Sequence, residues 1–296
     1  MRRAIQYFSY PVVVGASVLA LIVLTTLGHA YWPTFPLIII TALVTVAVLE
    51  RAVPYERSWN DSHGDLVADV FHNLANHALI QLTVASLFLL SGVWIPRPML
   101  WPTEWPMWAQ VLTAGAVLDL SLYSMHRWSH VSHWLWRLHA IHHSAERLYW
   151  LNAERRHPLS ALLMAAPGLV VLLLLGAQAE AVSCWLTILA IHLAFQHSNL
   201  DYRVGPLKWL LGVAETHRWH HKREFEDAQV NFGEFWMIWD HLFRSFYLGT
   251  RRLREGEVGL RDRTFPQSYI AQIAWPFARR RRDLRSREIR SSTIVA

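Results

Sequence analysis

The chain is nearly without cysteine: Cys184 is the single one among 296 residues, and it sits in an apolar run. That excludes an intrachain disulfide and a Cys-ligated iron–sulfur cluster. Its apolar neighbours make Cys184 a packing residue rather than a haem ligand. Charge is scarce as well, and unevenly so. Residues 4–49 and 70–96 contain no Asp, Glu, Lys or Arg, and residues 105–125 contain only Asp119. Residues 157–179 and 181–200 are again uncharged. A soluble core can hold one such run but not several, so a soluble α-bundle does not account for the chain.

A spanning helix needs ~20 apolar residues, because each adds ~1.5 Å toward ~30 Å of hydrocarbon. Residues 4–49 are long enough for two spans, with Trp32-Pro33-Thr34-Phe35-Pro36 as the break, since proline cannot continue a helical ladder. The run is also too long for a cleavable signal peptide. The pattern predicts an all-α, polytopic membrane bundle of about four to six spans, six if the runs pair as three hairpins. The last pair has the alternative of a shallow re-entrant hairpin, because Pro167 and Gly168 interrupt it.

Basic residues set the expected orientation. Arg2 and Arg3 precede the first span, Arg51 and Arg57 follow the second, and the link at 97–104 holds only Arg97. Beyond residue 200 the chain turns basic, ending in Arg279-Arg280-Arg281-Arg282. Both termini and the charged segments are therefore expected on the cytoplasmic side. The net charge of +6 reads as attraction to anionic headgroups rather than to nucleic acid. Sixteen tryptophans suit two membrane interfaces. The expected organisation is transmembrane hairpins over 1–105, a catalytic unit with a cytosolic histidine-rich helical cap over 106–250, and a basic, partly disordered tail over 251–296.

What the chain has in excess is histidine, 17 in all. His126 and His130 stand at i and i+4; His139, His142 and His143 stand at i, i+3 and i+4; His217, His220 and His221 repeat that second pattern. Positions three and four apart share a helix face, so each cluster can aim its rings at one spot. Packing so many titratable rings together without a function is costly. Neutral imidazole ligates iron, zinc, copper or nickel, and these rings exceed what one ion takes, so two metals are expected. His157 and His197, at the expected cytoplasmic ends of the last two spans, are further candidate ligands. His192, deeper in its span, is a weaker one. Asp119, with Tyr123 between it and His126, is the candidate carboxylate orienting those rings. Glu215, Glu224, Asp227 and Asp240, near the last cluster, are looser candidates for the same role and read rather as solvated surface charges.

An all-histidine, two-metal site beside lipid suits redox chemistry on an oily substrate: iron with O₂ can attack an unactivated C–H bond, which no side chain does alone. A metal transporter needs polar groups at the membrane midplane, where little stands beyond Asp119, Ser183 and His192. A zinc-dependent membrane hydrolase would use a carboxylate base and need neither O₂ nor reductant.

At these residues the chain resembles the fatty acid hydroxylase/sterol desaturase superfamily of membrane di-iron oxidoreductases, known by H-x-x-x-H, H-x-x-H-H and H-x-x-H-H in that order. Asp119 to Tyr123, Arg156-His157-Pro158, His197-Ser198-Asn199, Asn231-Phe232-Gly233 and Ile238-Trp239-Asp240 agree with it, over about residues 110–250. His241 stands where the family carries an arginine. The three-residue gap in the first cluster separates the chain from carotenoid hydroxylases and acyl desaturases. The resemblance implies a helical cap over a membrane bundle, two irons (zinc as a possible substitute), O₂ as oxidant, and His157 and His197 among the ligands. It further implies hydroxylation, desaturation or ether cleavage of a lipid such as a fatty acyl chain or sterol. The chain carries no fused haem domain of cytochrome b5 type, so a separate donor, cytochrome b5- or ferredoxin-like with its reductase, is expected.

Overall fold

A computed structural model describes residues 1–29, 31–93 and 100–278. The expectations for Arg97 and for the Arg279-to-Arg282 tail lie outside these residues. Six long helices match the apolar runs: α1 (Arg2–Thr26), α2 (Tyr31–Ala52), α3 (Leu66–Val93), α4 (Met107–Val131), α6 (Pro158–Leu175) and α7 (Ala179–His197). Four shorter ones lie between and after them: α5 (His133–His143), α8 (Ala214–His220), α9 (Ile238–Leu242) and α10 (Tyr269–Ala274). Among the described residues, strand-like pairing is confined to isolated bridges such as Leu211 with Trp236.

Among the described residues, four helices, α1, α2, α6 and α7, are long and apolar enough to cross a membrane. α3 and α4 are at least as long but carry buried polar side chains in their site-proximal halves: Asp69, His72, Asn73 and Asn76 on α3, and Asp119, His126 and His130 on α4. A crossing count of six therefore rests on these two mixed helices. α7 is the central rod, 83% buried over its apolar window against 22% for α1 and α2. Leu19, Ile22, Leu37, Ile40 and Val44 of α1 and α2 face outward instead, an apolar surface suited to lipid.

Pro167 does not interrupt α6, which runs unbroken to Gly176 in the left-handed conformation. Proline removes one ladder donor, and a neighbouring hydroxyl has entered the ladder beside it. Gly168 N–H donates to Ser121 Oγ (2.9 Å), and Ser121 donates on to Met164 O (3.0 Å). α4 comes close enough for this because residue 168 is glycine: a Cβ there would lie 2.9 Å from that of Ser121.

The segment expected to open a tail at residue 251 instead packs onto the cap. Leu253, Val258, Leu260 and Phe265 are buried. Gln272 of α10 reaches His72 Nε2 of α3 at 2.8 Å. Apolar side chains spaced along 253–265 find hydrophobic partners in Trp59, Trp136, Ile141 and Phe225, which offsets the solvation that its arginines favour.

Candidate metal centre

Nine histidines converge in two buried sets. His126, His130, His139, His143 and His220 form one; His142, His197, His217 and His221 form the other. Within each set the ligand nitrogens lie within 4.8 Å of one another. The split follows from helix geometry. At about 100° per residue, i and i+4 differ by about 40°, whereas i+3 lies about 60° to the other side. On α5, His139 and His143 therefore share one set and His142 turns to the other. On α8 and its cap the same pattern is reversed: His217 and His221 share the second set and His220 crosses to the first. The rings of His143 and His221 stack across the boundary, centroids 4.7 Å apart, so the sets adjoin.

The donor set fits metal ions. Nε2 atoms of His142 and His197, His197 and His217, and His217 and His221 lie 3.2, 3.1 and 3.1 Å apart. Two nitrogens on one ion at ~2.1 Å, with octahedral to tetrahedral angles, are roughly 3.0 to 3.4 Å apart. The Nε2 atoms of His126, His130 and His220 are buried without a hydrogen-bond partner. Their orientation comes from the opposite ring atom. Nδ1 of His126 meets Phe232 O (2.8 Å), that of His220 meets Val230 O (2.8 Å), that of His197 meets Leu193 O (2.9 Å) and that of His142 meets Arg155 O (3.3 Å). A ring that donates from Nδ1 leaves Nε2 bare for a metal. Burial, foremost, and then mutual repulsion pull the imidazoles of His139, His142, His217 and His221 well below their ordinary pKa, so they stand neutral.

The carbonyls that aim the rings are themselves fixed. Asp240 accepts from the N–H groups of Phe232 (2.9 Å) and Gly233 (2.8 Å) and from Ser245 Oγ (2.6 Å), which sets the Phe232 carbonyl over His126. Asn231 holds the same loop from a left-handed conformation (φ 54°) that asparagine tolerates. Under His142, Asp69 of α3 pairs with Arg155 and accepts from Tyr149 Oη (2.7 Å) and Asn152 Nδ2 (3.1 Å).

Several sequence expectations change here. His197 joins the second set, whereas His157 lies in neither: it caps α6, its Nδ1 accepting from Leu159 N–H (3.0 Å). His192 is engaged by Tyr10 Oη (2.8 Å) and Gly212 O (3.1 Å). Asp119 does not orient a histidine. Its carboxylate accepts from Phe235 N–H (2.9 Å), Trp236 N–H (3.1 Å) and Trp239 Nε1 (2.9 Å), anchoring the loop after Gly233. Tyr123 meets Ser245 Oγ (2.9 Å), one bond removed from Asp240, and not the rings. Asp240 is wholly buried rather than a surface charge. Glu234, 3.5 Å from His126 Nδ1, was missed by sequence reasoning because no spacing marks it. His241 bonds Trp209 O (2.8 Å) and stacks on Phe246.

Fold and site together define a helical protein of membrane-spanning length with a paired, buried histidine centre suited to metal ions. The fatty acid hydroxylase family model matches residues 111–245. Among curated proteins, the chain is 32% identical to the ornithine lipid hydroxylase OlsE of Rhizobium tropici over 263 residues, 86% of this chain and 78% of that protein. It is 26% identical to the alkylglycerol monooxygenase of Xenopus tropicalis over 63% of this chain, though that spans only 41% of the relative. It is also 26% identical to methylsterol monooxygenase 1 of Danio rerio, over 57% of this chain and 59% of that protein. No solved structure matches the chain. The chain belongs to the fatty acid hydroxylase family, as a membrane oxygenase that acts on lipids. Transport and zinc hydrolysis are not favoured.

Proposed function

We propose that the chain hydroxylates a membrane lipid with two irons held by the nine clustered histidines, on the cytoplasmic face. The observation that carries this reading is the pair of adjoining sets of buried, partly unpartnered imidazole nitrogens. Bound iron would supply activation of O₂, so that a C–H bond and O₂, with two electrons and two protons, give an alcohol and water. The chain's own groups do the rest. The carbonyls of Phe232, Val230, Leu193 and Arg155 hold the rings in one tautomer. Complete burial of the histidines excludes water that would divert the oxidant. The electrons come from a separate one-electron donor protein, and the catalytic unit is the stretch 106–250. The cytoplasmic placement rests on the basic residues flanking α1 and α2.

Elemental analysis and Mössbauer spectroscopy of detergent-purified protein grown with iron test this. About two coupled irons per chain are expected; zinc alone, or no tightly bound metal, would overturn the reading.

A further inference from the structure

A polar cavity of about 260 Å³ lies on the cap, away from the histidine sets. It stands at the end of the bundle where α1 begins and α2 finishes. Tyr55, just past α2, forms one wall. Arg203, on another, donates its backbone N–H to Gln6 O in the early part of α1 (2.7 Å). Helices of spanning length leave the hydrocarbon at such ends, so the cavity is at the level of lipid headgroups.

Five cationic side chains line it, Arg203, Lys208, Arg218, Arg251 and Arg252, against two carboxylates, Asp201 and Glu215. Both carboxylates are already engaged. Asp201 accepts from Arg252 (3.0 Å), Arg2 (3.3 Å) and Gln6 (2.8 Å), and Glu215 lies 3.6 Å from Lys208. Arg251 pairs with Glu257. That leaves Arg203 and Arg218 without a carboxylate partner among the described residues. Arg203 is exposed, but Arg218 is only 4% exposed. Its Nη2 is spent on the carbonyls of Ser198 (2.9 Å) and Leu200 (3.0 Å), and its guanidinium carbon stands 3.8 Å from the centre of the Tyr55 ring. Arg252 lies over the same ring at 4.1 Å. Carbonyl dipoles and a ring face do not cancel a buried charge, and an anion in the cavity offsets the cost. The walls are held by packing: the loop 248–252 presses on Trp219 so closely that a Cβ at Gly249 would lie 1.9 Å from that ring's Cζ2.

We infer that the cavity is an anion site that takes one phosphate group, gripped by Arg203 and Lys208 and facing the unpaired charge of Arg218. A phosphate presents oxygens in several directions, which donors spread around a cavity require, whereas a planar carboxylate matches a single guanidinium fork. At this depth the group comes from the headgroup of an anionic lipid or from free phosphate in water. The site is linked along the chain to the second histidine set, since Arg218 follows His217 and its hydrogen-bond partner Ser198 follows His197. A bound phosphate therefore steadies the segments that carry those two rings. None of this depends on the oxygenase reading.

The full-length, metal-loaded protein in detergent is titrated at constant ionic strength with dihexanoylphosphatidylglycerol, dihexanoylphosphatidylcholine and inorganic phosphate. Binding is read as the rise in unfolding temperature that a ligand of the native state produces. The anionic lipid is expected to bind about tenfold tighter than the zwitterionic one, whose choline cancels the charge. Saturation by the anionic lipid alone assigns the site to a headgroup, and equally tight binding of inorganic phosphate assigns it to the free ion. No binding of either, or equal affinity for the two lipids, would overturn the site. Arg203→Glu, an exposed change that the fold tolerates, should weaken binding at least about tenfold. Glu215→Gln removes a lining carboxylate and frees Lys208, so it should tighten binding severalfold, an effect that damage to the fold cannot imitate. Unchanged affinity in both variants would place any bound phosphate elsewhere on the molecule and reject the assignment.

Discussion

The unit of this site is a ring with one nitrogen tied down and the other bare. His142 and His220 illustrate why neighbours in sequence are not neighbours in function: each sits in an H-x-x-H-H run yet turns to the set opposite its companions. Replacing either by Ala is expected to lower iron to about one ion per chain or less and abolish turnover, with membrane insertion retained. Elemental analysis of the membrane-extracted variants checks this, and full metal content would sink the ligand assignment. His157→Ala, by contrast, should keep its metal, since that ring caps α6. Asp119→Asn puts an amide donor among the N–H groups of Phe235, Trp236 and Trp239. A loss of about 1–3 kcal/mol is expected, seen as a lower unfolding temperature rather than as lost metal. Metal loss at unchanged stability would return Asp119 to the histidines' surroundings.

At the scale of elements, the centre depends on how closely α4, α6 and α7 approach. Gly115 admits the Trp185 ring, 2.5 Å from where a Cβ would stand, and Gly168 admits Ser121 and the Leu118 backbone. Gly168→Ala should therefore force α6 off α4 and cost about 1–3 kcal/mol. Thermal unfolding in detergent measures it, and a neutral result would mean the helices can slide apart without loss. The element pattern was readable in advance because uncharged runs of spanning length have few other uses. The continuity of α6 was not, because proline and glycine announce a break. The hydroxyl of Ser121, from another helix, bridges the rung next to the proline, between Gly168 N–H and Met164 O.

At the scale of the whole molecule, the cap is tied to the bundle by buried ionic links. Arg147 grips Asp65 with two hydrogen bonds, 2.7 and 2.8 Å, just before α3 begins. Burial pushes the Asp65 carboxyl up, and Arg147 more than offsets this, holding it below the usual carboxylate range. A carboxyl depressed on folding contributes stability that is complete above its unfolded pKa of about 3.9 and lost as pH falls through the folded value. Asp65→Asn should cost a few kcal/mol at neutral pH, since Arg147 stays buried without its partner. Unfolding curves of both proteins should converge as pH drops below about 4. A gap that stays constant with pH would exclude the ion pair as its source.

The sequence by itself determined the apolar helices, the eight histidines in three face-matched clusters and the class of chemistry. These are local periodicities, and a helix converts spacing into direction without outside help. Tertiary structure decided which clusters meet in each set, that His197 joins them and His157 does not, and that Asp240 and Asp69 set the carbonyls behind them. It also decided that Asp119 clamps a backbone loop and that Glu234 faces His126. Each of these depends on contacts between elements far apart in the chain, such as Asp119 with Phe235 or Asp69 with Arg155. No spacing along a single helix encodes a partner brought in by another.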